Sequence, residues 1–131
     1  MKIAIASDHA GFQLKELVRK YLTDLKHQVL DFGAFSNDSV DYPDYAFPAS
    51  EAVAGGVAHF GILICGTGTG MAISSNKVTG IRAANCITPE MAEMARSHNN
   101  ANILTMGSRL IDSETAFAII DTFIETDFEG G

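Results

Sequence analysis

The feature that most constrains this chain is a fivefold switch between short apolar runs and stretches with helical apolar spacing. Lys2–Ala6 opens as a strand, after which Leu14, Leu17, Val18, Tyr21, Leu22 and Leu25 fall on one face of a helix. Gln28–Phe32 reads as the second strand. The polar loop Gly33–Asp41 leads to a second helix near Tyr42–Ala54, where Pro43 suits the first turn. Pro48 does not suit a helix interior, which predicts a kink or a late start. Phe60–Cys65 is apolar on both faces, as a central parallel strand should be. Met71–Lys77 reads as a short helix and Ile81–Cys86 as the fourth strand. Thr88 and Pro89 then mark a helix start, with Met91, Met94 and Ala95 on its apolar face. Asn102–Met106 is the fifth strand. A last helix begins near Asp112–Ser113 and carries Ala116, Ile119, Ile120, Phe123 and Ile124.

Five β-α units predict an α/β fold: a single doubly wound five-stranded parallel sheet, Rossmann- or flavodoxin-like, with helices on both faces. The 131 residues suit one domain spanning 1–131, and 47% hydrophobic with 19% charged residues excludes a disordered chain. A formal charge of −7 argues against nucleic acid or an anionic membrane as partner. The first apolar run is too short for a signal peptide's core, and no later run approaches a membrane span. Cys65 and Cys86 form no CxxC or Cys/His cluster, so neither a disulfide framework nor a structural zinc site is expected. Free thiols fit a cytoplasmic location.

Sheets of this kind bind ligands at the carboxyl ends of their strands. That rule selects Asp8 and His9, Cys65 and its glycines, Cys86, and Ser108 with Arg109. The segment His98-Asn99-Asn100 belongs to the opposite end, so one subunit is not expected to bring His98 to its own Cys65.

The strongest chemical signal is Cys65-Gly66-Thr67-Gly68-Thr69-Gly70. It fails as a Walker A loop, as a dinucleotide GxGxxG loop and as a Cys-x5-Arg phosphatase loop, each time because Met71 stands where another residue is required. What survives is a nest of backbone N–H groups at a helix start, suited to a small anion or an oxyanion. The plainer reading is a tight turn built of glycines for steric reasons. Cys65 weighs against that reading, because a thiol at a helix start is placed where a thiolate is favoured. Cys86 lacks such a loop and reads as packing. Asp8-His9 is either a ligand pair or a capping aspartate beside a solvated histidine, and His98-Asn99-Asn100 is equally a polar helix end. Arg109 is the best anion ligand; Arg82 reads as a core or interface arginine, and Lys77 as support for the turn. His27 and His59 receive no role.

With these residues in hand, the chain closely resembles the type B ribose-5-phosphate isomerases and the related galactose-6-phosphate isomerase subunits. The resemblance covers essentially the whole chain. It is carried by Ser7-Asp8-His9-Ala10-Gly11, Asp41-Tyr42-Pro43, Ile64–Gly70, Asn76-Lys77, Gly80-Ile81-Arg82-Ala83, His98-Asn99-Asn100-Ala101-Asn102 and Met106-Gly107-Ser108-Arg109. It implies an aldose-ketose isomerase in which Cys65 shuttles a proton between C2 and C1, with Thr67 and the backbone of Gly66, Gly68, Thr69 and Gly70 around the enediolate oxygens. It further implies ring opening by His98 aided by Asn99, sugar contacts from Asp8 and Tyr42, and phosphate contacts from His9 and Arg109. The implied assembly is a homodimer or dimer of dimers with a shared active site, acting on a small sugar phosphate without metal or other cofactor.

The galactose-type catalytic subunit shares the Cys-Gly-Thr-Gly loop, so the loop alone does not settle the sugar, and His98 at the ring-opening position favours the ribose type. Members of the family usually continue past the equivalent of Glu129-Gly130-Gly131 with a basic tail that holds phosphate. The given sequence stops there, which leaves the phosphate to residues beyond it or to other means. An isomerase of allose 6-phosphate or galactose 6-phosphate is the nearest alternative. A non-catalytic anion-binding module of flavodoxin-like shape is the alternative from another class.

Overall fold

The computed structural model describes residues 1–130; the expectations for Gly131 and the chain beyond it lie outside them. Ten elements alternate along the chain: β1 (Lys2–Ser7), α1 (Phe12–Asp24), β2 (Gln28–Asp31), α2 (Pro43–Ala54), β3 (Phe60–Cys65), α3 (Thr69–Ser75), β4 (Ala83–Asn85), α4 (Pro89–Ser97), β5 (Ile103–Gly107) and α5 (Ser113–Glu125). The strands form one parallel sheet in the order β2-β1-β3-β5-β4. The doubly wound α/β sheet read from the sequence is therefore the observed fold.

Strand periodicity divides the core in two. Ile3, Ile5, Ile62, Ile64, Leu104 and Met106 face α1, α4 and α5. Ala4, Ala6, Leu63, Cys65 and Ile103 face α2 and α3. On this face β1 presents Ala4 and Ala6, and α2 answers with Ala46 and Ala49, small side chains that let this helix lie close on the sheet. Cys65 thus ends its strand on the α2–α3 side.

Several local expectations are corrected. The fourth strand is Ala83–Asn85 rather than Ile81–Cys86, which leaves Arg82 outside it and exposed, its Nε donating to Asn99 O at 2.6 Å. Helix α2 starts at Pro43 and runs through Pro48. Pro48 is tolerated because it stands on the solvent side, as does Asp44, whose carbonyl loses its helical partner to the missing N–H. On α1, Leu17 and Leu25 are exposed while Lys15 is buried. On α4, the methionines point outward, with Met91 41% and Met94 59% exposed, and Ala92, Ala95 and Arg96 form the inner face. Short side chains there let α4 lie close against the core.

Two buried cations lock the framework. Lys15, with no exposed surface, donates to both carboxylate oxygens of Asp31 at 2.8 Å and lies over the rings of Phe12 and Phe35. Asp31 Oδ1 also accepts the Gly33 N–H at 2.9 Å. Arg96 donates to Thr126 O, Asn100 Oδ1 and Ala101 O and stacks over Phe60 and Phe123, with burial holding its pKa below the ordinary value. It fixes the turn that carries His98.

Candidate active site

Three strand ends are laced together around Cys65. The Asp8 N–H donates to Ile64 O at 3.3 Å, the Ser108 N–H to Cys65 O at 2.9 Å, and the Arg109 N–H to Gly66 O at 3.0 Å. Ser108 Oγ adds a bond to Ala10 O at 2.8 Å, so the turns after β1, β3 and β5 form one unit. Within it, Asp8 Oδ1 accepts the Gly11 N–H at 3.0 Å and holds the turn into α1. The partly buried His9 sets Nδ1 against the Val40 backbone, 3.2 Å from its nitrogen and 3.3 Å from its carbonyl oxygen, and so is anchored to the loop before α2.

Cys65 is 5% exposed, and its Sγ accepts the Gly68 N–H at 3.2 Å. The loop reaches this geometry because Gly68 has φ of 85°, a conformation that side chains rarely adopt. Its Cα also lies so close to Asn85 that an added Cβ would sit 2.0 Å from Oδ1. Thr67 Oγ1 accepts the Thr69 N–H at 3.3 Å and closes the turn. The Arg109 guanidinium lies over Gly66, where a Cβ would be 3.1 Å from Nη1, and the Tyr42 ring lies against Gly70, where a Cβ would be 2.8 Å from Cε1. Substitutions at either glycine would push into these two side chains.

The structure therefore brings Asp8, His9, Tyr42, Cys65, Gly66, Thr67, Gly68, Thr69, Gly70 and Arg109 to one end of the sheet. It does not bring His98 and Asn99 there. His98 caps the carboxyl end of α4, and both residues are exposed before the start of β5. Cys65 pairs in register with Gly107 at the far end of that strand. Four residue steps along β5 alone span about 13 Å, so one subunit keeps these groups apart. A hollow of about 430 Å³ lies beside Asn99, lined by Asn76, Ile81, Arg82, Ala83 and Ala84. A second, of about 360 Å³, adjoins Arg109 and Ser108. Cys86 is buried, and burial pushes its thiol up to about 11, consistent with a packing role.

Sequence reasoning missed Asn85 and the Lys15–Asp31 pair. Asn85 donates through Nδ2 to Thr67 O at 3.2 Å and accepts from Thr105 Oγ1 at 3.0 Å, tying the glycine loop to β4 and β5. Its signal was a polar residue closing an apolar strand at the ligand-binding end of the sheet. Among the described residues, no three His, Cys, Asp or Glu side chains gather as metal ligands. No helix described is long and apolar enough to cross a membrane.

The comparisons agree on one family. A model described as ribose/galactose isomerase matches residues 3–131. Ribose-5-phosphate isomerase B of Escherichia coli is 45% identical over 130 residues, covering 99% of this chain and 87% of the relative. A ribose 5-phosphate isomerase structure from Thermotoga maritima superposes with a TM-score of 0.98 at 57% identity, covering 99% of this chain and 90% of the other. The Mycoplasma genitalium ribose-5-phosphate isomerase B structure, with bound ribulose-5-phosphate, gives 0.95 at 40% identity and covers 99% and 87%.

Proposed function

The chain belongs to the ribose/galactose isomerase family, and on that premise we propose that it interconverts ribose 5-phosphate and ribulose 5-phosphate, with Cys65 as the proton-transfer base. The observation that carries this reading is the Gly68 N–H held 3.2 Å from Cys65 Sγ inside a loop of further N–H groups. The thiolate takes the proton from C2 of the open-chain aldose, and the electron pair moves into an enediolate. The thiol returns the proton to C1, while the hydroxyl proton passes from O2 to O1. The backbone N–H groups of the Gly66–Gly70 loop other than that of Gly68, with the Thr67 hydroxyl, receive the developing negative charge, which is the larger part of such catalysis. Asp8 and Tyr42 contact sugar hydroxyls. His9 and Arg109 hold the phosphate, a charge-assisted contact that Arg109 is placed to make over Gly66.

His98 opens the furanose ring, and Asn99 orients it, from a second copy of the chain. This is supported by their distance from Cys65 within one subunit and by an unpartnered apolar surface. Ile73, Ile87, Met91 and Met94 are all 41–59% exposed, on α3, the β4–α4 connection and α4, the elements that flank the edge strand β4 in the chain. A dimer buries such a surface.

The test is NMR of ribose 5-phosphate in deuterated water. Wild type should isomerise the sugar and exchange its C2 proton, and Cys65→Ala should lose both by about a thousandfold or more. If Cys65→Ala keeps more than about a tenth of either rate, the base is another group. Mixing inactive Cys65→Ala and His98→Asn subunits should restore activity in hybrids if the site is shared. No recovery after demonstrated subunit exchange places the site within one chain.

A further inference from the structure

We infer that Asn85 and Thr105 are positioning residues for Cys65, acting through the single peptide unit that joins Thr67 to Gly68. The inference rests on the assignment of Cys65 as the base. Thr105 is fully buried on β5, in register with Asn85 on β4. Its hydroxyl donates to Asn85 Oδ1 at 3.0 Å, which fixes which end of the amide faces the loop. Asn85 Nδ2 then donates to Thr67 O at 3.2 Å, and the Gly68 N–H donates to Cys65 Sγ at 3.2 Å. The Thr67 carbonyl and the Gly68 N–H belong to one planar peptide, so holding the oxygen aims the hydrogen. All three bonds run in the same direction, from hydroxyl to sulfur, and each polarises the next.

The loop is gripped from a second side as well. A Cβ on Gly107 would lie 2.6 Å from the Thr67 carbonyl group, so β5 presses directly on that peptide. With backbone on one side and the Asn85 amide against Gly68 on the other, the peptide cannot rotate without breaking the chain of bonds. Thr67 is an exposed residue and Asn85 a half-buried one, and the Asn85 amide gives the Thr67 carbonyl a fixed direction. The Thr105 hydroxyl, by contrast, would be left buried without a partner if Asn85 were lost.

The test uses full-length Asn85→Leu, Thr105→Val and Thr105→Ser, with folding checked by circular dichroism. Two quantities are read: kcat and KM for ribose 5-phosphate, and the rate at which iodoacetamide alkylates Cys65, resolved from Cys86 by peptide mass spectrometry. The substitutions neither add nor remove a charge. Asn85→Leu should lower kcat about three- to tenfold with KM within about twofold, and slow alkylation by a similar factor, as loss of one directing hydrogen bond predicts. Thr105→Val should follow it in part, and Thr105→Ser, which keeps the hydroxyl, should stay near wild type. Slower alkylation with unchanged turnover would uphold the positioning role and remove Cys65 as the base. Unchanged alkylation in both Asn85→Leu and Thr105→Val would overturn the inference, whatever happens to turnover. Should Asn85→Leu fail to fold, the contrast between Thr105→Val and Thr105→Ser decides the matter alone.

Discussion

Removing the Asp31 carboxylate should cost far more stability than its bond length alone suggests. The Lys15–Asp31 pair measures 2.8 Å and the Arg19–Glu16 pair 2.7 Å, so distance does not separate them. Burial does. The Lys15 side chain is 0% exposed and that of Asp31 18%, against 47% and 35% for Arg19 and Glu16. An exposed pair is worth about 0–1 kcal/mol. Asp31→Asn keeps an acceptor for the Gly33 N–H but strands an ammonium among Phe12 and Phe35, whose rings lie 5.4 and 5.2 Å away. Breaking a buried pair in this way costs about 3–5 kcal/mol, a large part of the roughly 5–15 kcal/mol that stabilises a domain. Lys15→Met should cost less, because Asp31 keeps the Gly33 N–H and some solvent. The double variant Lys15→Met, Asp31→Asn removes both charges and should return to within about 1.5 kcal/mol of wild type. Urea denaturation of the four proteins at equal slope gives the cycle. If Asp31→Asn costs less than about 1 kcal/mol, Lys15 is not desolvated as described and the reasoning fails.

Two further outcomes follow from single side chains. Iodoacetamide at neutral pH should modify Cys65 before Cys86, whose thiol burial pushes up to about 11, and sugar phosphate should protect; mass spectrometry of the labelled peptides checks the order. The Asp112 carboxylate accepts the Thr115 N–H at 2.8 Å, and this bond holds its pKa below the ordinary aspartate value. Its stabilisation is present above the unfolded value and lost as pH falls through the folded one. The Tm gap between wild type and Asp112→Ala should therefore be widest near neutrality and close in acid; a gap independent of pH would show that the charge is not what caps α5.

The sheet was legible because each strand is a short apolar run closed by a turn residue, and Phe60–Cys65 was recovered residue for residue. The rule of carboxyl strand ends grouped Asp8, His9, Cys65 and Arg109 and set His98 apart. What resisted reading was side chains whose chemistry contradicts their burial. Helical spacing assigned Met91 and Met94 to the inner face of α4, but that helix packs close through Ala92 and Ala95. A lysine on an amphipathic helix reads as solvated, and nothing local to Lys15 encodes its burial against Asp31, 16 positions away. Asn85 touches residues 18 and 20 positions away, a separation that no local pattern encodes.

The strand order also dictates how the molecule comes into being during synthesis. β5 is the last strand to be made, yet it lies between β3 and β4. Until Ile103–Gly107 arrives, the three residues of β4 have no neighbour to pair with, and the Thr67 turn lacks the Gly107 backbone that presses on it. A nascent chain that has left the ribosome only through α4 thus carries Cys65 in a loop that lacks its supports from β5. Insertion of the final strand completes the sheet and brings those supports with it, through contacts of long sequence separation that fold slowly. A partly made chain should therefore lack both a finished sheet and the β5 backbone that buttresses the Cys65 loop.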